Sequence, residues 1–179
     1  MSEGQGRDTG GTALGLFRSA WKISRTSLTS PLCPDECLNR LKSDLGASIF
    51  MSGVGPVVGR VNGGSATLVR RIRYGNGFRT YVRARIRETA LGGTSIDCVA
   101  GMHAWPRVFM TVWFAFILVW WVGAVAATLA TPTPMAWLFW LVPVPMLGFG
   151  FALVVGGRYL ARNDETLILS YLRRRLEAA

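Results

Sequence analysis

The sequence predicts a membrane α+β protein: a small antiparallel β-meander with a short packing helix, followed by a transmembrane helical hairpin and a C-terminal amphipathic helix. The first observation behind this prediction is that residues 108–157 contain no Lys, Arg, Asp, Glu or His. The second is that 50% of the 179 residues are hydrophobic and only 17% are charged, whereas about a quarter are charged in a typical soluble domain. The third is that residues 19–107 contain short apolar runs separated by Gly, Pro and Asn, which is typical of strands and turns.

The uncharged block divides into two apolar runs, residues 108–130 and 135–157, each 23 residues long. About 20 apolar residues allow a helix to cross the hydrocarbon core, and a buried helix of a soluble protein is rarely apolar on every face for that length. Between the runs, Thr131 to Pro134 include two prolines and no charge. Proline stops one helix and suits the start of the next, so we predict a tight turn between two spans.

The distribution of cations predicts how the hairpin is oriented. All 20 Lys and Arg residues precede residue 108 or follow residue 157, and Arg107, Arg158 and Arg162 lie closest to the spans. Positively charged flanks stay on the cytoplasmic side of a membrane. We therefore expect a membrane protein with both termini in the cytoplasm.

Small residues recur at helical spacing in both spans. Gly148, Ala152 and Gly156 share one helix face, and Gly123 and Ala127 share a face of the first span. Small residues at this spacing allow helices to approach closely in lipid. They are predicted to pack the hairpin on itself or against a neighbouring membrane protein.

Two further features of the spans bear on structure and function. Pro143 and Pro145 lie inside the second span and remove backbone donors, so a kink or a broken turn is expected there. Neither span contains an acidic residue or a histidine. Proton relays and ion pathways usually need such groups, so we do not expect a single chain to act as a transporter or channel.

The tryptophans divide into two groups by their depth in the predicted spans. Trp137 and Trp140 suit an outer aromatic belt, and Trp105 suits the inner one. Trp120 and Trp121 lie about halfway through the first span, where an indole N–H needs a partner. We expect Trp105, Trp120 and Trp121 to contact a neighbouring subunit, a bound lipid or a pigment-like flat cofactor. Simple filling of the lipid-facing surface is the alternative for the mid-span pair.

The residues before the hairpin are predicted to form a flexible tail, residues 1–18, and a cytoplasmic α+β module, residues 19–107. The tail is polar and rich in glycine. In the module, a helix is expected to begin at Pro34, to end near Gly46 and to bury a stripe of Cys37, Leu38, Leu41 and Leu45. The predicted strands lie in residues 19–30, 48–53, 56–61, 66–74, 78–88 and 93–102. Between the third and the fourth of them, Asn62-Gly63-Gly64 predicts a hairpin turn.

Arginine is concentrated in residues 68–88, on two predicted strands that flank Gly75-Asn76-Gly77. Because side chains alternate along a strand, a tight hairpin would bring the basic residues of both strands to one face. That predicted basic face consists of Arg71, Arg73, Arg79, Tyr81, Arg83, Arg85 and Arg87.

Three kinds of partner suit this basic face. Anionic lipid suits it because the module is tethered at the membrane surface, and an acidic protein suits it because arginine binds carboxylates in a bidentate manner. Nucleic acid, with Tyr81 as a stacking group, is the least favoured, since no recognised nucleic-acid motif accompanies the charge. A solvated surface without a specific partner is the fourth interpretation.

Catalytic and metal-binding signatures are sparse. Cys33, Cys37, Cys98 and His103 could be written as a four-ligand set, but the C-x3-C spacing is not that of a zinc pair. We predict structural thiols, no metal and no evident cofactor. A membrane enzyme acting on lipid would require Asp97, Cys98 and His103 to meet in an open pocket.

Residues 158–179 are predicted to form a cytoplasmic amphipathic helix. Asn163 is a candidate N-cap and three arginines, Arg173 to Arg175, complement the negative end of the helix. Leu169, Leu172 and Leu176 are expected to form its apolar seam.

Four segments, SPLCPDECLNRL, RYGNGF, GGTSI and GMHAWPRVFMTVWF, resemble a family of uncharacterised small bacterial two-span membrane proteins with an N-terminal cytoplasmic α+β module. The resemblance covers roughly residues 20 to 175. It implies the topology above and a location in the bacterial inner membrane, and it supplies neither an activity nor a site.

The function expected from these features is that of a non-catalytic accessory or scaffolding subunit of a larger bacterial membrane complex, for example a respiratory or photosynthetic one. An anionic-lipid-binding module is the alternative, and a membrane enzyme acting on lipid is a further one. The expected partners are other membrane subunits and anionic lipids.

Overall fold

A computed structural model describes residues 12–45, 55–90, 92–131 and 136–179. It places a five-stranded antiparallel sheet, backed by helices, at one end of a helical hairpin. In chain order the elements are α1 Ala13–Ser19, β1 Ser24–Ser30, α2 Pro34–Leu45, β2 Val57–Asn62, β3 Ser65–Arg70, β4 Thr80–Glu88, β5 Thr94–Met102, α3 Ala104–Ala130, α4 Ala136–Leu141, α5 Pro143–Leu160 and α6 Asp164–Arg175.

The strands lie in the order β1-β5-β4-β3-β2, and every neighbouring pair is antiparallel. Strands β2 to β5 form the predicted meander, and β1 adds to its β5 edge. Antiparallel neighbours need only short connections, which agrees with the frequent turn residues in this part of the chain. The strand predicted at residues 48–53 lies outside the described residues.

The two predicted turns next to β3 differ in outcome. The β2–β3 turn is confirmed: Asn62 pairs with Ser65, and the two-residue loop begins with Gly63 at φ +55°, a value that favours glycine. The predicted tight turn at residues 75–77 is wrong, because β3 ends at Arg70 and residues 71–79 are irregular. In this segment the Arg71 N–H donates to Pro56 O at 2.8 Å, and Asn76 Nδ2 donates to Gly157 O at 3.0 Å.

The core lies between the sheet and helices α2 and α6, which cover the same face. On α2 the predicted stripe is confirmed, with Cys37, Leu41 and Leu45 buried and Leu38 partly buried. On α6 the buried apolar residues are Ile168 and Leu172, and Leu176 at its C-cap is buried as well, whereas the predicted Leu169 is only partly buried. Positions four apart stay on one helix face, so Ile168 replaces Leu169 in the seam.

The hairpin consists of α3 packed against α5, with α4 between them in sequence. Helix α3 begins at Ala104, four residues before the predicted span. The second predicted span is divided at Val142, where α4 ends and α5 begins with Pro143. Since proline lacks the N–H that a continuous helix would need, the predicted break is confirmed.

Most of the hairpin surface is apolar and uncovered. Two helical stretches, α3 and the one that includes α5, are long and apolar enough to cross a membrane, and only 11% and 17% of their most apolar windows are buried. A core helix of a soluble protein would be mostly buried. Exposed residues such as Val119 (71%) and Leu129 (78%) therefore present an apolar surface to the surroundings.

Helix α1 corrects the predicted tail, which was expected to extend to residue 18. Thr12 caps the helix by accepting a hydrogen bond from the Gly15 N–H at 3.2 Å. Leu16 and Ala20 are buried, and the Phe17 ring lies 5.2 Å from that of Phe151 on α5, centroid to centroid. The helix thus packs along the end of the hairpin nearest the sheet. Residues 1–11 of the predicted tail lie outside the described residues.

The predicted small-residue faces do not pack the hairpin on itself. A Cβ added at Gly123, Gly148 or Gly156 would have no heavy-atom neighbour within 4 Å, and Ala127 and Ala152 are exposed. The close approach between helices occurs instead at Gly150, where an added Cβ would lie 2.9 Å from Trp113 Nε1. Self-packing through the predicted faces is therefore wrong, and packing against another protein stays a prediction.

Gly157 provides a test of how the hairpin meets the sheet module. A Cβ at this position would lie 2.5 Å from Cδ2 and 2.8 Å from Cβ of Phe78, so Gly157→Ala is expected to destabilise the protein by about 1–3 kcal/mol. The adjacent Gly156→Ala has open space and should leave stability unchanged or slightly raised. Thermal unfolding of both variants in mild detergent measures the difference. Equal melting temperatures would contradict the close contact.

Candidate interaction surface

The face of the sheet opposite α2 and α6, which we call the outer face, carries a dense set of cations. Along β4 the side chains alternate as predicted: those of Val82, Ala84 and Ile86 are buried, and those of Arg83, Arg85 and Arg87 are exposed. Helices α2 and α6 pack on the other face, and α3 reaches the outer face only at the end nearest the hairpin, where Arg107 lies beside Gly101. The central strand of the sheet therefore presents three arginines to the surroundings.

The strand register adds two arginines that sequence reasoning missed. Arg83 pairs with Thr67 of β3 and Val99 of β5. The next strands out place Arg60 beside Thr67 and Arg25 beside Val99. Both arginines are exposed. The alternation of side chains within each strand does not show that these two arginines share a face with Arg83. The pairing of the strands places all three in one row across the sheet.

Asp97 is the single carboxylate that the strands place on the outer face. It lies opposite Arg85 in the register, is 3.7 Å from Arg87 in its closest N–O contact, and accepts a hydrogen bond from Ser27 Oγ at 3.0 Å. Arg87 and Asp97 are both about half exposed, so their ion pair contributes on the order of 1 kcal/mol or less. With Arg25, Arg60, Arg83, Arg85 and Arg87, the strands give this face a formal net charge of +4.

The predicted basic face is corrected at its end nearest the hairpin. Arg71 and Arg73 lie in the irregular segment 71–79 and do not pair beside β4, because β3 has already ended. Arg79 is partly buried: its Nε donates to Tyr81 Oη at 3.1 Å, and its guanidinium carbon lies 5.3 Å from the ring centroid. Tyr81 also packs against His103, with ring centroids 5.4 Å apart. The predicted stacking residue is therefore already held by two neighbours.

The aromatic residues predicted to meet a partner or lipid lie on the exposed surface of the hairpin. Trp105 is 72% exposed at the start of α3, and Trp120 and Trp121 are also exposed. Trp120 lines an apolar groove of about 440 Å³ together with Gly123, Ala127 and Phe139. Their predicted contacts stay predictions.

The residues considered for chemistry are not brought together. Cys98 is buried in the core, whereas Asp97 lies on the opposite face of β5. The pKa of the Cys98 thiol is raised to about 11, mainly by burial and further by the nearby Asp97 charge. His103 caps α3, with Nδ1 accepting the Trp105 N–H at 3.2 Å. Within the described residues, no group of three or more His, Cys, Asp or Glu side chains could hold a metal ion.

The three cysteines should differ in reactivity. Cys33 is exposed, whereas Cys37 and Cys98 are buried, and a thiolate is the species that reacts with alkylating agents. Folded protein at pH 8 is therefore expected to take up one iodoacetamide per chain, at Cys33, and denatured protein three. Peptide mass spectrometry gives the positions. Rapid modification of Cys98 in folded protein would contradict its placement in the core.

The fold is thus an antiparallel five-stranded sheet with helices, two of which are long and apolar enough to cross a membrane. Comparison of the chain with protein-family models, curated proteins and solved structures found no match. The resemblance to small bacterial two-span membrane proteins stays a prediction, and any function has to be argued from the site itself.

Proposed function

We propose that this protein is a membrane-anchored, non-catalytic accessory or scaffolding subunit that binds an acidic partner protein on its outer face. The observation that carries the proposal is the uncovered sheet face with five arginines and one aspartate. Arginine forms short, bidentate hydrogen bonds with carboxylates. Like charges in neighbouring positions repel each other, and a carboxylate-bearing partner would relieve that repulsion.

The direction of β4 favours a protein over a lipid surface as the partner. Thr80 pairs with Met102 at the end of the sheet next to α3. Along a strand at about 3.4 Å per residue, Arg83 lies about 10 Å and Arg87 about 24 Å from that end. The screening length at physiological salt is about 8 Å. A lipid surface at the hairpin end would meet Arg83 first and Arg87 last, whereas a protein can follow the whole strand.

The hairpin supplies the proposed anchor. Its exposed apolar surface suits the membrane interior, and the uncovered glycines at 123, 148 and 156 suit close approach by a neighbouring membrane subunit. The chain enters and leaves the hairpin at the same end, where the sheet and α6 pack together. Together with the cations at this end, this arrangement supports the proposal that both termini are cytoplasmic.

Purification from membranes of the producing cells tests the proposal. Tagged full-length protein, extracted in mild detergent, is expected to recover a partner in fixed stoichiometry that dissociates at high salt, because exposed charge pairs are screened. Native mass spectrometry gives the stoichiometry. Recovery of the chain as a monomer only, at low salt and in several detergents, would overturn the proposal.

A further inference from the structure

A second basic site lies on the other side of the sheet. A polar cavity of about 450 Å³ is enclosed by the end of α5, by α6, by the α1–β1 connection and by the ends of β4 and β5 next to the hairpin. Four cations line it, namely Lys22, Arg158, Arg162 and Arg173, together with a single carboxylate, Glu165. Hydroxyl groups, among them those of Ser19 and Thr80, form much of the remaining wall.

The cavity cations differ from other arginines on the same side of the sheet. Arg40, Arg70 and Arg175 each form an ion pair with a carboxylate. None of the four cavity cations lies within 4 Å of a carboxylate among the described residues. With Glu165 included, the cavity carries a formal charge of +3. Converging like charges repel each other, so an anion in this cavity would be favoured electrostatically.

Arg158 is held in place for binding. Its Nε donates to Ser19 Oγ at 3.1 Å, and its Nη1 donates to Phe78 O at 3.2 Å and to Thr80 Oγ1 at 3.1 Å. These three acceptors are neutral, and the charges of Asp164 and Glu165 act on the guanidinium only from beyond ion-pair distance. Its Nη2 has no hydrogen-bond partner among the described residues. A guanidinium that is already positioned loses little entropy when it binds an oxyanion.

The position of the cavity along the hairpin indicates which kind of anion it binds. Arg158 directly follows the uncharged residues 143–157 of α5. Arg162 lies over the exposed Tyr159 ring, 4.4 Å from its centroid, a contact that suits the boundary between lipid and water. In the proposed membrane topology, the cavity lies at the depth of lipid phosphates.

We infer that this cavity binds a phosphate-bearing anion through Arg158, Arg162, Arg173 and Lys22. The phosphate belongs either to a lipid headgroup or to a free phosphate compound. This site is separate from the outer face, and its occupant need not be the acidic partner protein.

Binding is measured as a rise in melting temperature of the full-length protein in mild detergent, since a ligand of the folded state stabilises it. Three probes distinguish a lipid headgroup from a free phosphate compound. They are inorganic phosphate, dihexanoyl phosphatidic acid, and dihexanoylglycerol, which has the same acyl chains but no phosphate. Stabilisation by phosphatidic acid alone indicates a lipid headgroup. Equal stabilisation by inorganic phosphate indicates a free phosphate compound. A response to dihexanoylglycerol as large as that to phosphatidic acid would overturn the inference.

Charge-removing variants distinguish phosphate binding in the cavity from a general attraction of anions to a positively charged protein. Arg162→Gln with Arg173→Gln removes two cavity cations and should weaken binding by roughly tenfold or more, because two charge-assisted contacts are lost. Arg18→Gln with Arg174→Gln removes the same charge at exposed positions outside the cavity and should leave binding unchanged. Lys22→Gln is a milder variant in case the double variant unfolds. Equal weakening in cavity and control variants would overturn the inference.

Arg158 is left unchanged in these variants because its hydrogen bonds join three elements. Reversal of the outer-face arginines should leave phosphate binding intact, which distinguishes failure of this inference from failure of the proposed function.

Discussion

Replacement of Arg83, Arg85 and Arg87 with glutamate is expected to abolish recovery of the partner protein while the fold is retained. These side chains are exposed, and within the part of the chain that the structure describes only Arg87 of the three forms an ion pair, with Asp97. Three reversals turn attraction for carboxylates into repulsion, and the recovered partner should fall by at least roughly tenfold. Quantitative mass spectrometry of parallel purifications measures the ratio.

A matched control has to change the net charge equally. Arg18, Lys42 and Arg174 are exposed on three different helices, and their triple replacement with glutamate produces the same charge change away from the outer face. Partner recovery with this control should match that of the unaltered protein. If both triple variants lose the partner to the same extent, the outer face is not the docking surface and the proposed function fails.

Replacement of Leu172 with alanine is expected to produce the largest loss of stability of the single substitutions considered, about 2–5 kcal/mol. Leu172 is fully buried between α6 and the sheet, where it packs with the core residues of α2 and β4. Truncation leaves a cavity that close-packed neighbours fill only in part. Denaturant unfolding in mild detergent, followed by near-ultraviolet circular dichroism, measures the change.

Leu169→Ala is the matched comparison, because it removes the same atoms from a partly buried position on the same helix. Its effect should be clearly smaller. If Leu169→Ala cost as much as Leu172→Ala, the buried seam of Ile168, Leu172 and Leu176 would be wrong, and the seam predicted with Leu169 would be correct.

The sequence predicted those parts of the fold that depend on residues close together in the chain. Alternation along β4, the glycine turn at Gly63, the proline start of α2 and the break before Pro143 each follow from backbone geometry or side-chain period, and all are present. The exact seam of α6 was missed by one position, since Ile168 and Leu169 are both apolar and only the sheet selects between them.

Features that depend on distant contacts were not predictable in this way. Residues 71–79 contain turn-forming glycines, yet hydrogen bonds from Arg71 to Pro56 and from Asn76 to Gly157 hold them in an irregular path. Helix α1 is only seven residues long, which is too short for a helix to be stable alone, and it is stabilised by contacts with α5. The outer face was predicted only in part, because Arg25 and Arg60 join it through strand pairing alone.

Helix α6 also carries a consequence for how the protein is made. The core of the sheet is closed by Ile168, Leu172 and Leu176, and Ala179 exchanges backbone hydrogen bonds with Thr29. These residues leave the ribosome after both arms of the hairpin. In the proposed topology, the core of the sheet is complete only after both membrane helices have been inserted. Helix α6 then lies on the same side of the membrane as the strands and can pack on them. A chain with only one membrane helix inserted would leave the sheet face that α6 normally covers exposed. Quality-control proteases could recognise this exposed apolar surface.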